Sequence, residues 1–192
     1  EHFSYLSLYT VNTIFSSVGL RIWQVEELPT HGGSLRVYGC HQNDNRPTKK
    51  NVDKLLKKEF TKGLRKLETY TNFEKKVNKI KDDLLSFLIK QKKRGNKVVA
   101  YGAAAKGVTL LNYAGIKSDL LSVVYDISKS KQNQFLPGSH IPILSPKEIL
   151  KSNPKFILIL PWNIIDEIKS QKFLSNIKGV KFVTAVPKLL IS

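Results

Sequence analysis

From residue 96 onward, short apolar runs alternate with helix-forming stretches, and this alternation limits the fold more than any other feature of the chain. Val98–Tyr101 and residues 121–126, 156–160 and 180–186 each read as a strand. Helical patterns fill the intervals: one running to about residue 114, one over 145–151 and one over 164–171. Strands that are apolar without interruption are covered on both faces, and strands separated by helices lie parallel. The expected fold class is therefore α/β, a mostly parallel sheet with helices on both faces over residues 96–192.

The upstream residues divide into two parts. Over 1–46, apolar residues at positions 3, 6, 8, 11, 14, 15 and 18 form a near-helical stripe that ends at Gly19. Two strand-like runs follow at 20–25 and 34–40, joined by the turn-rich stretch 26–33. A helix and a strand pair make only part of a sheet, so this segment reads as the end of a domain whose other strands lie outside the chain. Over 47–95, Val52, Leu55, Leu56 and Phe60 mark one amphipathic helix, and Phe73, Val77, Ile80, Leu84, Leu85 and Leu88 mark a longer one. This stretch reads as a helical connector, with Gly95 as its stop.

The formal net charge of +17 points first to nucleic acid. Its distribution points elsewhere: 27 of the 32 basic residues are Lys, whereas base and phosphate recognition favours the Arg fork. Residues 49–94 hold 16 basic and 6 acidic residues, a surplus of 10 on the polar faces of the two helices, as on a solvated surface. No apolar run approaches the roughly 18 residues that span a bilayer. The single Cys40 excludes a disulfide framework and a cysteine-based zinc site, and suits a cytoplasmic protein. Neither nucleic acid nor membrane is an expected partner.

The stretch Gly102-Ala103-Ala104-Ala105-Lys106-Gly107 joins the first strand of the alternating region to its first helix, where a Rossmann-like domain holds phosphate. Small residues admit a pyrophosphate, the helix start supplies positive potential, and Lys106 adds a charge. Asp126 closes the second strand, the place of a ribose-binding acid in a dinucleotide fold. The spacing is not G-x-G-x-x-G, so tight strand-to-helix packing remains the alternative. Ser139 and His140 sit in a Pro-Gly loop placed near the carboxyl edge of the sheet; Trp162 and Asn163 follow the third strand at the same edge. The indole either closes the core or stacks on a base or sugar, and Asn163 suits a helix cap. In the first segment, His31, Gly33, Ser34 and Arg36 gather in and after the turn between the strands.

In order along the chain stand Glu1-His2-Phe3-Ser4-Tyr5, His31-Gly32-Gly33-Ser34-Leu35-Arg36, Tyr101-Gly102-Ala103-Ala104-Ala105-Lys106-Gly107, Pro137-Gly138-Ser139-His140-Ile141-Pro142 and Leu160-Pro161-Trp162-Asn163. This series resembles the C-terminal region of the S-adenosylmethionine-dependent sugar C-methyltransferases that act on nucleotide-linked keto-deoxysugars. The resemblance covers nearly the whole chain and is weakest over 47–95. It implies a three-part enzyme: an N-terminal zinc module, a methyltransferase domain holding S-adenosylmethionine, and a C-terminal Rossmann-like domain that helps enclose the nucleotide sugar. Residues 1–46 would end the methyltransferase domain and 96–192 would form the C-terminal one. The partners implied are the nucleotide-sugar substrate and the N-terminal part of the same enzyme. The family's zinc cysteines and Gly-rich cofactor loop have no counterpart here, so the chain is not expected to turn over alone. By the same resemblance Glu1 and His2 are catalytic, with His2 as proton acceptor and Glu1 as its orienter or a hydroxyl ligand. The Tyr that precedes them in the family motif has no counterpart. Gly102, Ala103, Lys106, Gly107, Asp126, Ser139, His140, Trp162 and Asn163, with His31, Gly33, Ser34 and Arg36, would bind substrate, and no residue here would bind metal. Two rival readings stand beside this one: an NAD(P)-binding domain of an oxidoreductase, carried by Asp126 and the strand-to-helix turn, and a basic nucleic-acid-binding module.

Overall fold

A computed structural model describes residues 4–30, 33–171, 174, 177 and 179–192. The chain forms two compact units, residues 1–74 and 75–192. The division falls inside one long helix, α3 (Leu67–Lys93).

The first unit holds α1 (Leu8–Ser17), the antiparallel pair β1 (Leu20–Leu28) and β2 (Ser34–His41), and α2 (Lys50–Thr61). Its core joins Leu8, Ile22, Val25, Val52 and Leu55, so α2 packs with the hairpin as part of this unit. The first helix starts at Leu8 rather than Phe3, because Ser7 caps it by accepting the Thr10 amide and so sets the boundary. The buried Glu59 of α2 accepts the amides of Leu8 and Tyr9 at 2.7 and 2.9 Å, satisfying two more donors of that helix start. Gly39 in β2 admits Phe15 of α1, since a Cβ there would lie 2.5 Å from the ring. Among the described residues each strand of the pair keeps one unpaired edge.

The second unit is built on a six-stranded sheet of β3 (Val98–Tyr101), β4 (Val124–Tyr125), β5 (Ile143–Leu144), β6 (Phe156–Ile159), β7 (Lys181–Thr184) and β8 (Leu190–Ile191). The order is β5-β4-β3-β6-β7-β8, parallel throughout except for β8. All residues of β3 and β6 are buried, as their unbroken apolar sequences predict. Alternate residues serve opposite faces. Val98, Ala100, Phe156 and Leu158 pack with Leu84, Phe87 and Leu88 of α3 and Leu111 of α4 (Ala105–Tyr113). Val99, Tyr101, Ile157 and Ile159 pack with Ile149 of α5 (Ile149–Ser152) and Ile168 of α6 (Ile165–Lys169). The expected α/β architecture, with helices on both faces, is the one observed.

Three local expectations change. The strand over 121–126 shortens to two paired residues, although Leu121 and Val123 remain buried in the core. The helix over 145–151 opens as a 3-10 turn at Pro146–Glu148, capped by Ser145, before α5. The two-residue strands β5 and β8 had no sequence signal, being too short for periodicity.

Candidate functional site

The chain leaves β3 through β4 to β5 on one side, then returns to the other side of β3 with β6. The carboxyl ends of β3 and β6 therefore flank the point where strand order reverses, the place where open α/β sheets leave a crevice for ligands. At this edge Gly102 follows β3 and donates its amide to Tyr125 O at 2.7 Å. Its φ of 85° suits glycine, and a Cβ would fall 2.6 Å from Cδ of Pro161. In α4, a Cβ on Gly107 would fall 2.5 Å from Cβ of Leu160. Both glycines thus have a packing reason: they let the start of α4 lie against the residues leaving β6.

That close approach brings the predicted side chains together. Lys106, in the first turn of α4, donates from Nζ to Oδ1 of Asn163. Its Nζ also lies 5.2 Å from the centre of the Trp162 ring. Trp162 and Asn163 belong to a 3-10 turn, Trp162–Ile164, that follows β6. An ammonium over an indole is held by about 0.5–1 kcal/mol at an exposed site. It keeps donors beyond the one given to Asn163, so it can also meet an anion. No side chain caps α4, whose N-cap residue is Ala104, and this leaves the first-turn amides without a side-chain acceptor.

Asp126 stands at the same edge, 8% exposed, but not as a free acid. Its Oδ2 accepts the Ala103 amide at 2.6 Å and its Oδ1 accepts the Ser128 amide at 2.7 Å. Lys131 Nζ lies 3.8 Å from Oδ2 and donates to Ala103 O at 2.8 Å. The sequence reading missed Lys131 and Ser128. The nearest signal was an Asp followed two residues later by Ser, the spacing of a side-chain-closed turn. Tyr101, behind the site, donates its hydroxyl to Oε1 of Gln171 at 2.7 Å. Burial, with the Asp126 charge second, pushes its pKa up to about 12, against a smaller opposing effect of the Gln171 hydrogen bond. Its phenol stays protonated at neutral pH.

Ser139 and His140, expected at the carboxyl edge, lie at the other end of the sheet. Residues 133–136 fold back on 141–143, with Asn133 N–H to Ile143 O, Ile143 N–H to Gln134 O and Leu136 N–H to Ile141 O at 2.8–2.9 Å. The tip of this hairpin precedes β5, beside the last turn of α4, where Asn112 Nδ2 donates to Pro137 O. The loop is long enough to return to the amino edge before β5 begins, which the sequence did not reveal. His140 is exposed with φ 55°, and the Ser139 hydroxyl is buried without a hydrogen-bond partner.

Glu1, His2 and His31 lie outside the described residues. In the first unit, Gly33 has φ 119° and Ser34 Oγ donates to Thr30 O at 3.1 Å. Arg36 pairs with Glu26 directly across the hairpin at 3.2 Å. Among the described residues no three His, Cys, Asp or Glu side chains converge on a metal position, and no helix is long and apolar enough to cross a membrane.

Fold and edge together define an α/β domain with a lysine, an indole and an amide side chain gathered at the reversal of its strand order. The sequence profile of the C-methyltransferase C-terminal domain family matches residues 29–187, and the chain belongs to that family. It is 32% identical over 190 residues to the C-methyltransferase NovU of Streptomyces niveus, covering 98% of this chain and 45% of that protein. The chain thus spans less than half the length of this relative. Among solved structures, the UDP-D-quinovosamine 4-dehydrogenase of Vibrio fischeri aligns with TM-score 0.35 and 21% identity, over 48% of this chain and 79% of its own. At those values the likeness carries no functional meaning.

Proposed function

We propose that this chain is the substrate-holding part of a C-methyltransferase acting on a nucleotide-linked keto-deoxysugar, with the nucleotide end seated at the carboxyl edge between β3 and β6. The observation that carries this reading is the meeting of Lys106, Trp162 and Asn163 at the strand-order reversal. A lysine ammonium and uncapped helix amides suit a diphosphate, an indole offers a stacking surface, and an amide side chain distinguishes hydroxyl or base edges. In this reading the rest of the enzyme covers the unpaired strand edges and the exposed Leu6, Ile14 and Val18 of the first unit.

C-methylation beside a ketone begins with loss of a proton from the adjacent carbon, and the electrons of that C–H bond form an enolate. His2 accepts the proton and Glu1 orients it or holds a substrate hydroxyl, roles carried by the family resemblance. Each Asp126 oxygen already accepts a backbone amide and the residue is 8% exposed, which weighs against this turn taking the ribose of the adenosyl cofactor. S-adenosylmethionine is assigned to the part of the enzyme outside this chain, and so is the zinc implied by the resemblance. The same occupied acid weighs against NAD and the oxidoreductase reading.

Isothermal titration of the chain with nucleotide sugars, nucleoside diphosphates, NADH and S-adenosylmethionine tests the proposal. Selective binding of a nucleotide sugar, lost in Lys106→Ala, supports it. Binding of NADH with no response to nucleotide sugars contradicts it.

A further inference from the structure

Asp126 and Lys131 hold the two peptide groups on either side of the Ala103 Cα. Asp126 takes the Ala103 N–H at 2.6 Å, and Lys131 donates to the Ala103 carbonyl at 2.8 Å. Asp126 also accepts the Ser128 amide, while its own carbonyl accepts from Gln132 Nε2 at 2.9 Å, so residues 126–132 are tied back against the start of α4. The backbone so held lies between Gly102, whose φ is 85°, and Lys106. In a dinucleotide-binding sheet of this strand order, the acid closing the second strand takes ribose hydroxyls. Here both carboxylate oxygens face protein donors and the residue is 8% exposed.

We propose that Lys131 is a positioning and specificity-determining residue: with Asp126 it locks the backbone on both sides of Ala103, fixing the turn that receives a diphosphate and withdrawing the acid from ribose recognition, so that this edge takes a nucleoside diphosphate group and refuses a dinucleotide. The ligand half of this proposal rests on the nucleotide-sugar reading; the lock itself does not. Lys131 acts through the turn, since its amine bonds the Ala103 carbonyl and its side chain is 45% exposed to solvent. Without that bond only the peptide group on the amino side of Ala103 is held, by Asp126.

The test uses the whole 192-residue chain and the variants Lys131→Ala and Lys131→Arg. Hydrogen exchange of the Ala103 amide in the ligand-free chain accelerates tenfold or more in Lys131→Ala, while the Leu111 amide in α4 is unchanged. Unchanged Ala103 exchange overturns the lock whatever the ligand does. In titrations with uridine or thymidine diphosphate and the matching nucleoside, Lys131→Ala weakens the diphosphate at least tenfold and leaves the nucleoside within twofold, and Lys131→Arg restores most of the loss. Equal weakening of both ligands, or none, overturns the positioning role. Wild-type binding of NADH as tight as that of the diphosphate overturns the specificity claim. If the wild type binds none of these ligands, the nucleotide reading falls, and exchange at Ala103 still decides the lock.

Discussion

Two Gly-containing loops of the second unit carry polar side chains, and the fold treats them in opposite ways. At residues 102–107, a Cβ on either glycine would meet Leu160 or Pro161 of the neighbouring crossover, and the packing that requires glycine also sets Lys106 against Trp162 and Asn163. At residues 137–140, a Cβ on Gly138 would meet only the exposed side chain of Asn112, and the turn caps the amino end of the sheet. Composition makes both look like binding loops. What separates them is the end of the parallel sheet at which each falls, since first-turn amides and the strand-order reversal lie at the carboxyl end alone.

The contrast is sharpest in stability. Gly102→Ala faces both a left-handed φ and a rigid proline ring, at a cost of about 2–5 kcal/mol. Gly138→Ala has φ 79° but a neighbour that can swing aside, and loses about 1–2 kcal/mol. Equal losses in denaturant titrations would erase the distinction. In binding, Lys106→Ala weakens a nucleotide sugar by tenfold or more, about 1.4 kcal/mol, whereas His140→Ala stays within twofold. A His140→Ala loss matching that of Lys106→Ala would move the site to the other end. Ser139→Ala removes a buried hydroxyl without a partner and raises stability by about 1 kcal/mol. A fall in melting temperature would show that this hydroxyl is bonded.

The smallest effect concerns the strand behind the site. Tyr101 has its pKa raised from 10.0 to about 12. Below pH 10 folded and unfolded chains both hold the proton. Between about 10 and 12 only the fold keeps it, so this contribution to stability is lost as pH rises. Tyr101→Phe flattens that part of the pH–stability curve, and an unchanged slope would assign the effect to other groups.

Much of the second unit was legible because β3 and β6 are central strands, and burial on both faces leaves an unbroken apolar run. Lys106, Trp162 and Asn163 were legible as the residues that follow such strands. The destination of the 133–142 hairpin was not, because the backbone bonds that turn it back leave no periodic trace. Nor was the role of Asp126. Its position matched a ribose-binding acid, but only the distances to Ala103, Ser128 and Lys131 show the carboxylate engaged within the chain. In the first unit, α2 read as connector because its apolar stripe names no partner, whereas Val52 and Leu55 complete the core around Ile22 and Val25.

The central proposal is that the carboxyl edge between β3 and β6 receives the nucleotide. Backbone amide chemical shifts of the 192-residue chain, followed during titration with a nucleotide sugar, test it residue by residue. The account predicts saturable shifts at Gly102, Ala103, Lys106, Gly107, Trp162 and Asn163, with Gly138, Ser139 and His140 unmoved. Shifts centred on residues 138–140 with a silent carboxyl edge would contradict it.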